Sequence, residues 1–122
     1  MALSKTMSDF VQDALTRVKE ILPEEVQRKL HHDQQLVLLD VREGEEFQRG
    51  HLPDAILIPR GILEGQAPQL LRDADAEIIV YCGSGMRSAL ACDVMQQMGY
   101  SNVHSMTGGF RAWVQFGGRL EH

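Results

Sequence analysis

Four short apolar runs, each followed by turn residues and then by a stretch of helical periodicity, constrain the fold of this chain more than any other feature. EIIVYC at 77–82 is the strongest, and LVLLDV at 36–41, AILIP at 55–59 and NVHSM at 102–106 are the others. Runs this short that are apolar at consecutive positions suit strands covered on both faces, as in a parallel sheet. Between them, EGEEFQRG ends at Gly50, GQAPQLLRDA carries a helical pattern, and 87–98 runs to Gly99, where glycine suits a helix C-terminus. LPEEVQRKLHH, with Pro23 in its first turn, precedes the first run, and TGGFRAWVQFG follows the last. Alternating strands and helices predict an α/β domain, with a central parallel sheet and helices on both faces. In such sheets ligands gather at the carboxyl ends of the strands, and Cys82 stands at one of them.

Ahead of this pattern, Phe10, Val11, Ala14, Leu15, Val18, Ile21 and Leu22 recur at helical spacing. They predict one amphipathic helix from Ser8 to Leu22, capped at Ser8, in an N-terminal segment 1–22 that packs on its own domain. At 122 residues the chain fits one domain. A net charge of −5 offers nothing to phosphate backbones or anionic lipid, so neither nucleic acid nor a membrane is expected as partner. No run approaches the ~20 apolar residues of a membrane span and the first residues lack a secretory pattern, so the expected compartment is the cytoplasm. Two cysteines ten positions apart, without C-x-x-C spacing, argue against a disulfide framework or a zinc site. Leu120, Glu121 and His122 read as tag residues of vector origin and are set outside the domain.

The chemistry concentrates in CGSGMRS at 82–88. A strand turning directly into a helix leaves the first helical N–H groups without partners and adds roughly half a positive charge at that end. Gly83 and Gly85 let the backbone take positive φ and curl N–H groups inward, and Arg87 adds a cation with a fork of donors. A thiol in that position is expected to be ionised at neutral pH and nucleophilic. Cys92 falls two to three turns into the following helix, about 15 Å along its axis, too far to pair with Cys82, and is read as a core residue.

These residues carry a resemblance. CGSGMRS is similar to the active-site loop of the rhodanese, or thiosulfate sulfurtransferase, family. LLDVREGEEFQRGHLPDAILIP resembles the family's upstream segment, and GYSNVHSMTGGFRAW its closing strand, glycine pair and final helix. The similarity runs from about Ile21 to Phe116 in family order, with Asp54 standing where the family more often has glycine. It implies a single rhodanese-like domain over 23–117 with a parallel sheet of four to five strands. Cys82 becomes the sulfur acceptor, with Gly83, Ser84, Gly85, Met86, Arg87 and Ser88 as its cradle. The implied donor is a small anion such as thiosulfate or a persulfide, the acceptor is cyanide or a thiol, and a protein donor or acceptor also fits. No metal and no organic cofactor is implied.

Asp40 and Arg42, at the end of the run 36–41, are expected on the same rim as Cys82, either steering anions or pairing with each other to hold loop amides, with the structural role ahead. His51 reads as a turn-fixing hydrogen-bond partner, His31 and His32 as solvated, His104 as structural, and Phe110 with Trp113 as core anchors. Three rivals differ in class. A rhodanese-like binding module with little turnover of its own would usually lack the cysteine, which this chain keeps with its cradle, whereas a sulfur-carrier module, loaded by one protein and unloaded by another, would retain it. A cysteine phosphatase or arsenate reductase would place five residues between cysteine and arginine to surround a tetrahedral oxyanion, whereas here only Gly83, Ser84, Gly85 and Met86 intervene. A dinucleotide or P-loop site fails because Ser88 replaces the third glycine and no Lys-Ser/Thr pair follows.

Overall fold

The computed structural model describes residues 2–32 and 35–122. Helix α1 (Met7–Leu15) and strand β1 (Lys19–Ile21) lead into α2 (Pro23–His32), β2 (Val37–Asp40), α3 (Gly44–Gln48) and β3 (Ile56–Leu57). A single 3₁₀ turn at Arg60–Ile62 precedes α4 (Leu63–Leu70), and β4 (Ile78–Tyr81), α5 (Met86–Met98), β5 (Val103–Met106) and α6 (Gly109–Phe116) complete the domain. The five strands form one parallel sheet in the order β1-β5-β4-β2-β3. No described helix is long and apolar enough to cross a membrane.

β4 lies at the centre, and all four of its residues are buried. Its side chains alternate between two cores, as the period of two along a strand requires. Ile78 and Val80 join Leu39, Val41, Ala91, Cys92 and Met95 on the face covered by α5. Ile79 and Tyr81 join Val26, Leu38, Leu52, Met106 and Trp113 on the face covered by α2 and α6. Cys82 continues the first series and enters the α5 side. The sequence pattern and the sheet therefore agree on where the cysteine emerges and on which helix it meets.

The N-terminal segment corrects the expectation of one helix to Leu22. α1 begins after Thr6 rather than Ser8, with the Asp9 carboxylate accepting the Thr6 N–H at 2.8 Å, and it stops at Leu15. Residues 19–21 leave the helix and pair with 104–106 of β5. An apolar spacing of Val18 and Ile21 fits a helix and a strand alike. The deciding factor is β5, whose outer edge would otherwise expose a row of unpaired N–H and C=O groups. A domain boundary at 22/23 would cut through this sheet. α1 packs on α5 through Val11 and Ala14, and Arg17 bridges Asp13 and Asp93 at 2.9 Å each. Phe10 and Leu22, assigned above to the buried stripe, are 54% and 48% exposed. The helix read over GQAPQLLRDA starts two residues earlier and ends at Leu70.

Candidate active site

Two backbone N–H groups converge on the Cys82 sulfur. Gly85 donates to Sγ at 3.1 Å and Ser88 at 3.3 Å. Ser88 is the third residue of α5, so its N–H has no partner inside the helix and is available to the sulfur. The thiol can in turn donate to Ser88 Oγ at 3.5 Å. That hydroxyl also lies 3.2 Å from the Gly85 carbonyl and 2.8 Å from the hydroxyl of Ser105 on β5. Cys82 and Ser88 are buried, Ser84 is exposed at the loop tip, and Gly83, Gly85, Met86 and Arg87 are half-buried. Of the predicted loop residues, Gly85 and Ser88 thus reach the sulfur directly.

The reasons for the two loop glycines differ from those read in the sequence. Gly85 has φ of 104°, the left-handed conformation expected, and a Cβ there would lie 3.3 Å from the Gly108 nitrogen. Gly83 does not take positive φ. A Cβ on it would stand 3.1 Å from Arg87 Nη2, so glycine here makes room for a guanidinium.

Arg87 itself is not a free cation. Its Nη1 and Nη2 donate to the two oxygens of Glu46 in α3 at 2.8 and 3.1 Å. These hydrogen bonds raise the Arg87 pKa above its ordinary value. The same contacts hold Glu46 at about 2, against the opposing effect of desolvation. Glu46 also accepts the backbone N–H of Glu43 at 3.0 Å, which closes the first turn of α3. The sequence reading missed Glu46. The E-x-x-E spacing of Glu43 and Glu46 signals a helix start, but nothing local shows that its carboxylate reaches a residue 41 positions away.

The start of α6 closes the loop from behind. Phe110 N–H donates to the Cys82 carbonyl at 2.7 Å and Arg111 N–H to the Gly83 carbonyl at 3.1 Å. Both loop carbonyls are engaged away from the sulfur, which leaves the N–H side of the loop facing it. This approach depends on Gly109, whose φ is 60° and whose Cβ would collide with the Cys82 carbonyl oxygen and lie 2.8 Å from the Gly83 carbonyl carbon. Gly109→Ala is expected to cost about 1–3 kcal/mol of stability through backbone strain alone. It should also displace the loop, seen as slower modification of Cys82 by iodoacetamide. An unchanged urea midpoint with unchanged labelling would show that the contact is not needed.

Asp40 and Arg42 are brought together but not onto the sulfur. Asp40 takes the Arg42 guanidinium through Nε at 3.0 and 3.1 Å and Nη2 at 2.7 Å, and accepts the Arg42 backbone N–H at 2.9 Å. Nη2 also donates to the Gly50 carbonyl at 2.8 Å, and the guanidinium lies 4.1 Å from the Phe110 ring centroid. With side chains 0% and 4% exposed, the pair is a buried joint between β2, the Gly50 turn and α6. His51 stacks on Phe47 at 3.7 Å and places Nδ1 3.1 Å from the Phe47 carbonyl, the turn-fixing role expected. Asp54 adopts φ of 60°, which explains a glycine preference at that position. Trp113 is fully buried and donates to the Arg119 carbonyl at 2.9 Å, while His104 keeps a buried Nδ1 without a partner. Burial pushes the Cys92 thiol well up from its ordinary value. Glu121, one of the residues 120–122 set outside the domain in the sequence reading, lies against it, with His51 and Glu121 exchanging backbone hydrogen bonds at 2.9 Å.

Comparison with known proteins finds a match to the rhodanese-like domain over residues 22–116. A sulfurtransferase of Allochromatium vinosum is 33% identical over 100 residues, covering 82% of this chain and 92% of that protein. A thiosulfate sulfurtransferase of Pseudomonas savastanoi is 32% identical over 99 residues, covering 81% of this chain and 90% of its own. A solved structure from Rhodopseudomonas palustris, described as a protein of unknown function and possible tyrosine phosphatase, superposes with a TM-score of 0.91 at 27% identity, over 99% of this chain and 98% of that one.

Proposed function

Because the chain belongs to the rhodanese-like domain family, we propose that it is a sulfurtransferase that carries sulfane sulfur as a persulfide on Cys82. The observation that supports this most directly is the pair of N–H groups, from Gly85 and Ser88, aimed at Sγ from the start of α5. Those donors and the helix terminus can stabilise the negative charge of a terminal persulfide anion on this sulfur. The thiolate attacks the outer sulfur of the donor and forms a new S–S bond. The donor's own S–S bond breaks, and its electron pair leaves with sulfite when the donor is thiosulfate, or with a thiolate when the donor is a persulfide. In the second half, cyanide or a thiol attacks the outer sulfur of the Cys82 persulfide, and Cys82 leaves as thiolate. The donor is reduced by two electrons and the acceptor oxidised by two, so the exchange balances without an outside oxidant or reductant. Gly83, Ser84 and Met86 contribute loop backbone, Ser88 its N–H and hydroxyl, and Arg87 a wall of the cradle rather than a naked charge.

The loop also bears on the phosphatase alternative that the Rhodopseudomonas structure raises. The loop from Cys82 to Arg87 is only six residues long, and of the two N–H groups on Sγ one, from Gly85, lies within it while the other, from Ser88, follows it directly. Fewer remain to surround the oxygens of a phosphoryl group. The test is to incubate the protein with thiosulfate or glutathione persulfide and weigh the Cys82 peptide. A gain of one sulfur atom, discharged by cyanide as thiocyanate, is expected, together with background-level hydrolysis of an aryl phosphate. Phosphate-ester turnover without sulfur loading would reverse the assignment.

A further inference from the structure

The guanidinium nearest the sulfur loop is matched by a carboxylate that is itself fixed in place. Glu46 receives Arg87 on both oxygens and the Glu43 N–H on one of them, so it is held by α5 and by the turn of its own helix. Both charges border the residue after the cysteine. A Cβ built on Gly83 would be 3.1 Å from Arg87 Nη2 and 3.9 Å from Glu46 Oε2. The two side chains are 34% and 33% exposed, so the pair lies at the rim rather than in the core. The other cation close to α6, Arg42, is buried against Asp40. Arg111 has an exposed side chain, and its backbone N–H, not its charge, engages the loop.

We propose that Glu46 is a specificity-determining residue of the Cys82 site, which by neutralising Arg87 disfavours dianionic sulfur donors such as thiosulfate relative to persulfides that carry a single negative charge. The inference rests on the sulfur-transfer reading and adds the class of donor to it. An anion approaching the loop meets a dipole instead of a net positive charge. A dianion loses twice as much as a monoanion from that cancellation, because the interaction scales with the product of charges. In either reaction the Cys82 thiolate displaces the donor's leaving group, sulfite or thiolate, with total charge conserved. The discrimination therefore enters in how the donor is gathered and held, not in the bonds exchanged.

Glu46→Gln tests this. The amide keeps the length of the side chain and can still accept from Arg87 and from the Glu43 N–H, but it leaves the guanidinium charge uncancelled. The ratio of kcat/KM for thiosulfate over the persulfide of 2-mercaptoethanol, whose only charge is that of the persulfide, should rise about tenfold, mainly through a lower KM for thiosulfate, and the gain should shrink at high salt. A second readout needs no sulfur donor. The rate of Cys82 alkylation by anionic iodoacetate relative to neutral iodoacetamide should rise about fivefold in the variant, and Glu46→Asp, which keeps the charge, should retain the low ratio of the parent. Sulfur loading with an unchanged donor ratio would overturn the inference while leaving the sulfur-transfer reading intact. Failure of both donors to load the parent would overturn both.

Discussion

Replacing Cys82 by serine is expected to lower sulfur transfer by on the order of a thousandfold or more, to background, because the hydroxyl of serine is neither ionised at neutral pH nor able to hold a second sulfur as a persulfide does. The substitution removes little volume, and the Gly85 and Ser88 N–H groups can donate to an oxygen as they do to Sγ. The fold should therefore survive, and an unchanged circular dichroism spectrum verifies this. Cys92→Ala is the matched control. Cys92 is buried in the α5 core, its thiol is pushed away from ionisation, and no N–H group donates to its sulfur among the hydrogen bonds described. Sulfur transfer in that variant should persist even where its stability falls by the ordinary cost of a small core truncation. Comparable losses of activity in both variants would remove Cys82 from its assigned place.

The largest effect on stability is expected from Asp40→Ala. It leaves the Arg42 guanidinium buried with no countercharge, and removing one partner of a buried pair costs about 3–5 kcal/mol. Urea unfolding followed by tryptophan fluorescence gives the measurement, since the single Trp113 lies in the core that this pair abuts. The midpoint should drop by more than about 1 M, given slopes of about 1–3 kcal/mol per molar urea for small proteins. A smaller loss of activity should accompany it at temperatures where the variant is folded. Arg42 lies against the Phe110 ring, and Phe110 N–H holds the Cys82 carbonyl, so the joint and the loop share a residue. A midpoint within about 0.3 M of the parent would mean that water reaches the guanidinium and relieves it.

Features set by contiguous residues were readable in the chain, and those set by distant partners were not. EIIVYC announces a buried strand by its apolar run, and CGSGMRS announces a strand-to-helix turn by its glycines, so Cys82, Gly85 and Ser88 fall where the sequence places them. Asp40 and Arg42 are two positions apart on one strand end, and their pairing followed from proximity. By contrast, Lys19, Glu20 and Ile21 become a strand only because the edge of β5 is there to receive them. Arg87 was expected beside the sulfur as an isolated charge. The carboxylate that occupies it comes from α3, across a gap in sequence that no local pattern bridges. Gly83 was assigned to backbone freedom when its role is steric, a distinction that depends on where the Arg87 side chain lies.

Burial of the cysteine sets a requirement of reach. Cys82 has 1% of its surface exposed, with Ser84 at the loop tip above it. A flat protein surface presenting a thiol cannot bring it into line with Sγ, because the loop would strike first. Under the proposed sulfur transfer, the sulfur would have to arrive on something slender, either a small molecule or a side chain at the end of a projecting tail. The same geometry governs departure, so an acceptor protein for this site needs a protruding, solvent-surrounded nucleophile rather than a recessed one.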